Sequence, residues 1–180
     1  ACIEAKLLDD LKNRMFSENI RIIPFSADVS LDNGLQLTAD ALPGGVSVDD
    51  LHLKGRHNLE NCLAVMAVCQ AIGIPFERIA NAMIEFKPDR HRLELIAEKN
   101  GIKFINDAKA TNVDALHQAI LTVGNQSNKQ KAKKIHLIAG GIDKGCDLSS
   151  VKSDLAVYVK GVYAIGTCRA RLACIWSDAT

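Results

Sequence analysis

The hydrophobic pattern at the start of the chain predicts short elements separated by turns. Apolar side chains at helical spacing predict a helix over residues 1–15, and residues 19–25 predict a short strand that Pro24 confines to an edge or an end of a sheet. Alternating apolar residues at 35–37 and 46–48, each close to a turn signal, predict two further strands. This part of the chain therefore combines short strands with helix.

Two longer helices follow, and they end at a domain boundary. Residues 57–73 carry apolar side chains at near-helical spacing, which is the clearest helix pattern in the chain. Pro75 suits the first turn of a second helix, and that helix ends before Pro88 because the residue preceding a proline avoids helical geometry. The pattern therefore predicts domains of residues 1–87 and 88–180.

The second half of the chain alternates strands with helices. Two apolar runs joined by Asn100 and Gly101 predict a tight hairpin, and the continuous apolar run at 135–141 is typical of a strand covered on both faces. Strands alternating with helices predict an α/β fold with right-handed crossovers. The predicted elements after the hairpin are a helix over 110–124, strands over 135–141 and 161–166, a helix over 147–159 between those strands, and a final helix from 169.

Composition adds few constraints on function. The 180 residues carry a net charge of +1, so bulk attraction to nucleic acid or to an anionic membrane is not expected. No apolar run approaches the roughly 20 residues that span a bilayer, and no signal-peptide pattern opens the chain. None of the six cysteines forms a C-x-x-C pair. We therefore expect a soluble, cytoplasmic protein with free thiols and neither nucleic-acid nor membrane partners.

A polar segment, Asn-Asp-Ala-Lys-Ala-Thr-Asn, follows the second strand of the predicted hairpin. Asp107 is suited to orienting a ribose or a metal-bound water, and Lys109 to neutralising a phosphate or carboxylate. Thr111 and the backbone N–H groups of the next helix are suited to binding an anion. A second interpretation remains open, in which Thr111 or Asn112 caps the helix and Asp107 pairs with Lys109 on the surface.

Three other segments carry candidate binding residues, each with a structural alternative. Lys144 lies in a glycine-rich loop that is not a Walker A sequence, and the alternative is an ordinary turn with an exposed lysine. Asn58 and Asn61 are spaced to face the same side of a helix start, unless Asn58 caps the helix. His91 and Arg92 follow the domain boundary, where Arg92 either reaches a bound nucleotide or remains a surface charge.

The order of these segments resembles the Mur ligases. The matching motifs are G-R-H-N-x-x-N, H-R-x-E, N-D-A-K-A-T-N and G-G-x-D-K-G, and the third resembles the branch of the family that adds D-glutamate. The resemblance implies the end of a central ATPase domain, followed by an incomplete Rossmann-like C-terminal domain with a mostly parallel sheet. It also implies an ATP-dependent amide ligase of peptidoglycan precursor synthesis. Such an enzyme phosphorylates UDP-N-acetylmuramoyl-L-alanine, and the amine of D-glutamate then attacks the acyl phosphate.

The resemblance implies a role for each candidate residue at a site between the two domains. The cofactors would be ATP and Mg²⁺. Around the ATP would lie Asn58, Asn61, His91, Arg92 and Asp107. Thr111 and Lys144 would receive D-glutamate. Asp107 and Lys109 would act in catalysis, and Lys6 would be carbamylated, act in catalysis and bind Mg²⁺.

Relatives of this kind are longer than 180 residues, so the resemblance implies an internal piece of a longer protein. The family's P-loop and UDP-binding domain would precede Ala1. We therefore expect a monomer with no ligase activity from these residues alone. Two alternatives stay open: a non-catalytic nucleotide-binding module, and a sister ligase that adds another amino acid.

Overall fold

The computed structural model describes residues 2–4, 23–28, 31, 34–38, 41–127 and 133–179. The chain divides into two compact units, Ala1–Pro88 and Asp89–Thr180. This division lies one residue from the boundary predicted at residue 87. The identity of each unit as a particular domain stays a prediction, and the two units are described separately below.

The described residues of the first unit form two small sheets. β1 (Cys2–Glu4) and β2 (Ile23–Ser26) pair in parallel, as do β2 and β3 (Leu35–Gln36), whereas β4 (Ala41–Leu42) and β5 (Val46–Ser47) are antiparallel. The helix predicted over residues 1–15 is wrong at its start, because pairing with β2 holds Cys2–Glu4 in a strand; the remainder of that helix lies outside the described residues. A short 3₁₀ helix, Val48–Asp50, follows β5.

Two helices, α1 (Arg56–Ala71) and α2 (Phe76–Glu85), confirm the helices predicted in this unit. Leu63 and Met66 of α1 are fully buried in one core with Ile79 of α2. The α1 helix ends in a Schellman motif, because Ile74 N donates to Cys69 O and Gly73, at φ +84°, donates its N–H to Gln70 O. The motif turns the chain sharply into α2.

The second unit opens with the predicted hairpin. β6 (Glu94–Lys99) and β7 (Ile102–Asn106) are antiparallel, and the turn residues Asn100 and Gly101 have φ angles of +53° and +75°. Positive φ at both central residues is what a type I′ turn requires, and Asn-Gly supplies it at low cost. The register places Glu94 opposite Asn106 at the open end of the hairpin.

The rest of the second unit is a parallel strand pair with helices on one side. Val151, Leu155 and Val159 lie in a core with side chains of all three helices. Together with the parallel pairs of the first unit, this arrangement confirms the α/β class. The elements are α3 (Val113–Ser127), β8 (Ile135–Gly141), a 3₁₀ helix (Leu148–Val151), α4 (Lys152–Tyr158), β9 (Val159–Gly166) and α5 (Arg169–Trp176).

The prediction that β8 is covered on both faces is wrong within this unit. Along β8 the side chains alternate, with Leu137 and Ala139 packed against the core and Ile138 70% exposed. Tyr163 and Ile165 of β9 are also more than half exposed. The helices of the unit pack on the Leu137 side, so the opposite face of the pair stays accessible.

Candidate functional site

The open end of the β6–β7 hairpin joins two of the polar segments found in the sequence. Asp107 follows β7 directly, and its Oδ1 accepts a hydrogen bond of 3.0 Å from Leu93 N. Lys109 N donates to His91 O at 3.1 Å. The backbone of residues 91–94 is therefore tied to the segment after β7, and His91 and Asp107 lie in one small region.

The backbone before β6 is strained. His91 and Leu93 have φ angles of +66° and +45°, in the left-handed region that non-glycine residues rarely adopt. The carboxylate of Glu94 accepts a 2.8 Å hydrogen bond from His91 N, which helps to hold this conformation. Backbone strain maintained by surrounding hydrogen bonds is frequent at binding and catalytic sites.

Asn106, the first residue of the predicted polar segment, was given no role of its own from the sequence, and it contacts His91. Its Nδ2 lies 2.7 Å from His91 Nδ1, and its Oδ1 accepts a 3.0 Å hydrogen bond from Ala108 N. The side chain of His91 is 45% exposed, so the ring stays accessible to solvent. The signal in the sequence was the position of Asn106 as the last residue of a strand that leads into a polar segment.

Lys144 contacts the segment that contains Thr111. Its Nζ donates to Thr111 O at 3.4 Å, and its side chain is exposed. Asn112 caps α3, because its Oδ1 accepts a 2.7 Å hydrogen bond from Ala115 N. Of the two capping residues considered, Asn112 therefore fills that role. The loop after β8 and the loop after β7 meet at this point.

Arg171 holds the loop around Lys144, and sequence reasoning missed it. Its Nη1 lies 2.5 Å from Asp143 Oδ1, and its Nη2 donates to Cys146 O at 2.7 Å. The carboxylate of Asp143 also accepts from Gly145 N at 2.8 Å. The residues on both sides of Lys144 are thereby fixed from α5. No local sequence signal relates residue 171 to this loop, because the contact spans 28 positions.

The charge of Asp143 is stabilised by these partners. The hydrogen bond from Gly145 N–H is the main cause that lowers the pKa of the Asp143 carboxyl below its ordinary value, and Arg171 adds to this effect. A lowered pKa in the folded state means that the carboxylate contributes stability above its unfolded-state pKa. This contribution is lost as the pH falls through the folded-state pKa.

We therefore expect Asp143→Asn to lower the free energy of unfolding at neutral pH, and we expect the deficit to close below the ordinary carboxyl value of 3.8. The measurement is urea unfolding of both proteins at several pH values between neutral and strongly acidic. The other shifted carboxyls, Asp147 and Asp178, are common to both proteins and cancel in the difference. A deficit that stays constant into strong acid would contradict this expectation.

Asn58 and Asn61 lie in the first unit, at the start of α1. The helix has Gly55 as its N-cap, without a side-chain hydrogen bond, so the interpretation of Asn58 as the capping residue is wrong. Instead, Asn58 Nδ2 donates to Lys54 O at 2.7 Å and ties the preceding loop to the first turn. Asn61 is exposed one turn later. Their predicted contacts with a nucleotide stay predictions.

Three predicted site residues remain: Arg92, Lys109 and Lys6. Arg92 is exposed beside His91, and Lys109 is exposed after Asp107. Lys6 lies outside the described residues. Within the described ranges, no group of three or more His, Cys, Asp and Glu side chains is placed to hold a metal ion. None of the described helices is long and apolar enough to cross a membrane.

All five cysteines whose side chains the structure describes are free thiols, as predicted. Cys62 is buried in α1, and burial raises the pKa of its thiol. A buried thiol with a raised pKa is a poor nucleophile, so Cys62 serves as a small apolar side chain. The five are Cys62, Cys69, Cys146, Cys168 and Cys174.

Comparison with protein families places the second unit in a known family. Residues 91–177 match the family described as "Mur ligase, glutamate ligase domain". The matched region includes the loop after β7 and the loop after β8, and it extends from His91 past Arg171. It leaves Asn58 and Asn61 outside.

Curated relatives extend the similarity beyond this region. The UDP-N-acetylmuramoylalanine–D-glutamate ligase of Saccharophagus degradans is 43% identical over 120 residues, which cover 67% of this chain and 25% of the relative. The enzyme of the same name from Acidobacterium capsulatum is 39% identical over 154 residues, covering 84% of this chain and 32% of the relative. The chain therefore spans about a quarter to a third of the length of these relatives.

Among solved structures, the chain is similar to MurF from Acinetobacter baumannii. The TM-score is 0.63, with 20% sequence identity, over 99% of this chain and 40% of the other. At that identity the similarity extends to the fold alone. It supports the α/β architecture of the units and leaves the added amino acid open.

Proposed function

The chain belongs, through residues 91–177, to the Mur ligase family, and on that basis we propose that the protein is an ATP-dependent amide ligase of peptidoglycan precursor synthesis. The proposed substrates are UDP-N-acetylmuramoyl-L-alanine and D-glutamate, the pair used by the family member known as MurD. The names of the curated relatives support this choice over a sister ligase. The presence of named ligases among the relatives favours an enzyme over a binding module.

The observation that carries the proposal is the meeting of two polar loops in the second unit. Asp107 is anchored to the backbone of the H-R-x-E segment through Leu93 N. Four residues further on, Thr111 O accepts from Lys144 of the glycine-rich loop. Residues far apart in the sequence thus place a carboxylate and a primary amine on neighbouring loops. An acyl-transfer site for charged substrates needs groups of both kinds.

The residues near the hairpin are suited to the nucleotide. Arg92 and Lys109 are exposed cations that would offset phosphate charge, and Asp107 would orient a ribose or a metal-bound water. Asn58 and Asn61 carry amides that pair with hydroxyl or base edges. We assign Asn58, Asn61, His91, Arg92 and Asp107 to ATP binding as part of this proposal, and Lys109 to catalysis.

The loop after β8 is suited to the incoming amino acid. Lys144 presents an ammonium group on a loop fixed from both sides by Arg171. An ammonium group pairs with a carboxylate of D-glutamate, and Thr111 offers a hydroxyl nearby. A fixed loop holds the amine of the substrate in one orientation, which raises the fraction of productive encounters.

Mg²⁺ would bind mainly through the phosphates of ATP, which is compatible with the described residues. This ion usually keeps several waters and binds through one or two carboxylates together with substrate phosphates, so a preformed cluster of protein ligands is not needed. Lys6, as a carbamate, would supply an oxygen ligand, and Asp107 would hold a metal-bound water. Bound there, Mg²⁺ would offset the negative charge of the phosphates.

The proposed reaction proceeds in two steps. The carboxylate of UDP-N-acetylmuramoyl-L-alanine attacks the γ-phosphorus of ATP, the bond to the β–γ bridging oxygen breaks, and ADP leaves. The amine of D-glutamate then attacks the carbonyl carbon of the acyl phosphate. The bond to the phosphate oxygen breaks, phosphate leaves, and the amine loses a proton as the amide forms. Lys109 and Lys144 would lower the repulsion between the negatively charged reactants.

The test is an assay of ADP release by the full-length protein, with each substrate omitted in turn. We expect release to require both UDP-N-acetylmuramoyl-L-alanine and D-glutamate, and L-alanine or a diamino acid not to replace D-glutamate. Release that depends on another amino acid would identify a sister ligase, and nucleotide binding without turnover would identify a binding module. The 180-residue chain alone is expected to give no turnover.

A further inference from the structure

We propose that Asn106 fixes the neutral His91 ring in the tautomer that carries its hydrogen on Nε2. Asn106 then acts as a positioning residue, because it makes Nε2 a hydrogen-bond donor toward the exposed side of the ring. The assignment of the tautomer rests on the contacts of His91 alone. The use of that donor in nucleotide binding rests on the proposed function.

The first step of the argument is the orientation of the Asn106 amide. Its Oδ1 accepts a 3.0 Å hydrogen bond from Ala108 N. A flipped amide would direct its NH₂ group at the Ala108 N–H, which places two donors against each other. The backbone therefore requires oxygen on that side, and the NH₂ group of Asn106 faces His91.

The second step concerns the ring. Nδ1 of His91 lies 2.7 Å from the Asn106 NH₂ group, so it must accept that hydrogen bond and cannot carry a hydrogen of its own. In a neutral imidazole the hydrogen then lies on Nε2. The competing partner of Nδ1 is a carboxylate oxygen of Glu94, at 3.5 Å, which already accepts from His91 N at 2.8 Å. The shorter contact favours the Nε2–H tautomer.

The third step concerns how firmly the His91 ring is held by the backbone around it. The His91 backbone is held at both ends, since its N–H donates to Glu94 and its carbonyl accepts from Lys109 N. Asn106 is the last residue of β7 and is paired in register with Glu94. The ring thus presents a single donor from a fixed position, and an acceptor such as a ribose oxygen or a ring nitrogen of adenine is the group that suits it.

The first experiment identifies the tautomer directly in the 180-residue chain. Imidazole ¹⁵N shifts distinguish a protonated from an unprotonated ring nitrogen, and the His91 signals are assigned by their loss in His91→Asn. The spectra are recorded over a series of pH values, and the tautomer is determined at the alkaline end, where the two nitrogen shifts no longer change with pH. We expect Nε2–H in the parent chain and Nδ1–H in Asn106→Asp, whose carboxylate only accepts.

The second experiment measures the affinity of the full-length protein for the ATP analogue AMP-PNP by calorimetry at the alkaline pH used to determine the tautomer. Asn106→Asp should weaken binding about threefold to tenfold, the range expected for loss of one neutral hydrogen bond. Adding His91→Gln should restore most of this loss, because the glutamine amide places a donor near the position of Nε2. His91→Asn is the matched control, since its amide reaches only the position of Nδ1 and should not restore binding.

An Nδ1–H signal in the parent chain, or an unchanged Nε2–H signal in Asn106→Asp, would overturn the proposal. Unchanged AMP-PNP affinity in Asn106→Asp, with the tautomer switched, would overturn the role in nucleotide binding. Failure of the parent protein to bind AMP-PNP would refute the proposed function and the role of Nε2 in it, while the spectra would still decide the tautomer. Circular dichroism of each variant identifies loss of folding.

Discussion

Lys144→Ala in the full-length protein is expected to raise the KM for D-glutamate roughly tenfold to a hundredfold. The expected loss is that of a charge-assisted hydrogen bond, about 1.5–3 kcal/mol, and about 1.4 kcal/mol corresponds to a factor of ten. The KM for ATP should change little, because Lys144 lies on the loop that contacts Thr111 and the nucleotide is assigned to the hairpin side. Steady-state ADP release at varied concentrations of each substrate separates the two constants.

Lys103→Ala is a suitable control for the loss of one positive charge. Lys103 is exposed on β7, within the hairpin strand, and the proposal gives it no role. Its replacement should leave both constants unchanged. Equal effects of Lys144→Ala on the two KM values would contradict the assignment of Lys144 to the amino acid, and an unchanged KM for D-glutamate would remove it from the site.

Gly140→Ala is expected to lower the stability of the second unit by roughly 1–3 kcal/mol, the cost expected when an added group is forced into space that neighbouring atoms occupy. A Cβ at residue 140 would lie 2.2 Å from Ile165 O and 2.7 Å from Ile165 C, and both are backbone atoms of the neighbouring strand. A backbone carbonyl cannot rotate away as a side chain can, so β8 and β9 must move apart. For a domain of this size the melting temperature should fall by about 4–8 °C for each kcal/mol.

Gly161→Ala tests whether the loss of stability comes from a steric clash or from replacing any glycine in a strand. A Cβ at residue 161 in β9 would meet its nearest atoms at 3.8–3.9 Å, which is ordinary van der Waals contact. This variant should match or slightly exceed the stability of the parent, because alanine reduces the conformational freedom of the unfolded chain. Equal losses in the two variants would contradict the steric explanation.

Local sequence signals predicted the elements whose geometry depends on neighbouring residues. Asn100 and Gly101 supplied the positive φ angles of the hairpin turn, helical spacing of apolar residues located α1, and Pro75 and Pro88 delimited α2. The strand at Cys2–Glu4 could not be predicted in this way, because pairing with β2 competes with a helical pattern of side chains. The exposure of Ile138 was missed for a related reason, since an apolar run does not specify what covers each face.

The candidate residues of the second unit were found from their types and from their positions after strands, and His91, Asp107, Thr111 and Lys144 lie on segments that contact one another. The sequence did not identify the residues that hold these candidate residues in place. Arg171 acts across 28 positions, and the contact between Asn106 and His91 depends on hairpin register. Supporting contacts of this kind follow from three-dimensional packing, which a single sequence does not encode locally.

The β6–β7 hairpin also restricts how the length of this sequence can change during evolution. Residues added beyond Lys99, at the turn, would extend a solvent-exposed tip and leave the pairing of Glu94 with Asn106 intact. Deletion of one residue inside either strand would instead invert the side chains beyond it and separate the H-R-x-E segment from Asp107. Insertions in homologous genes should therefore accumulate at the tip, and the spacing from each strand to its polar segment should stay constant.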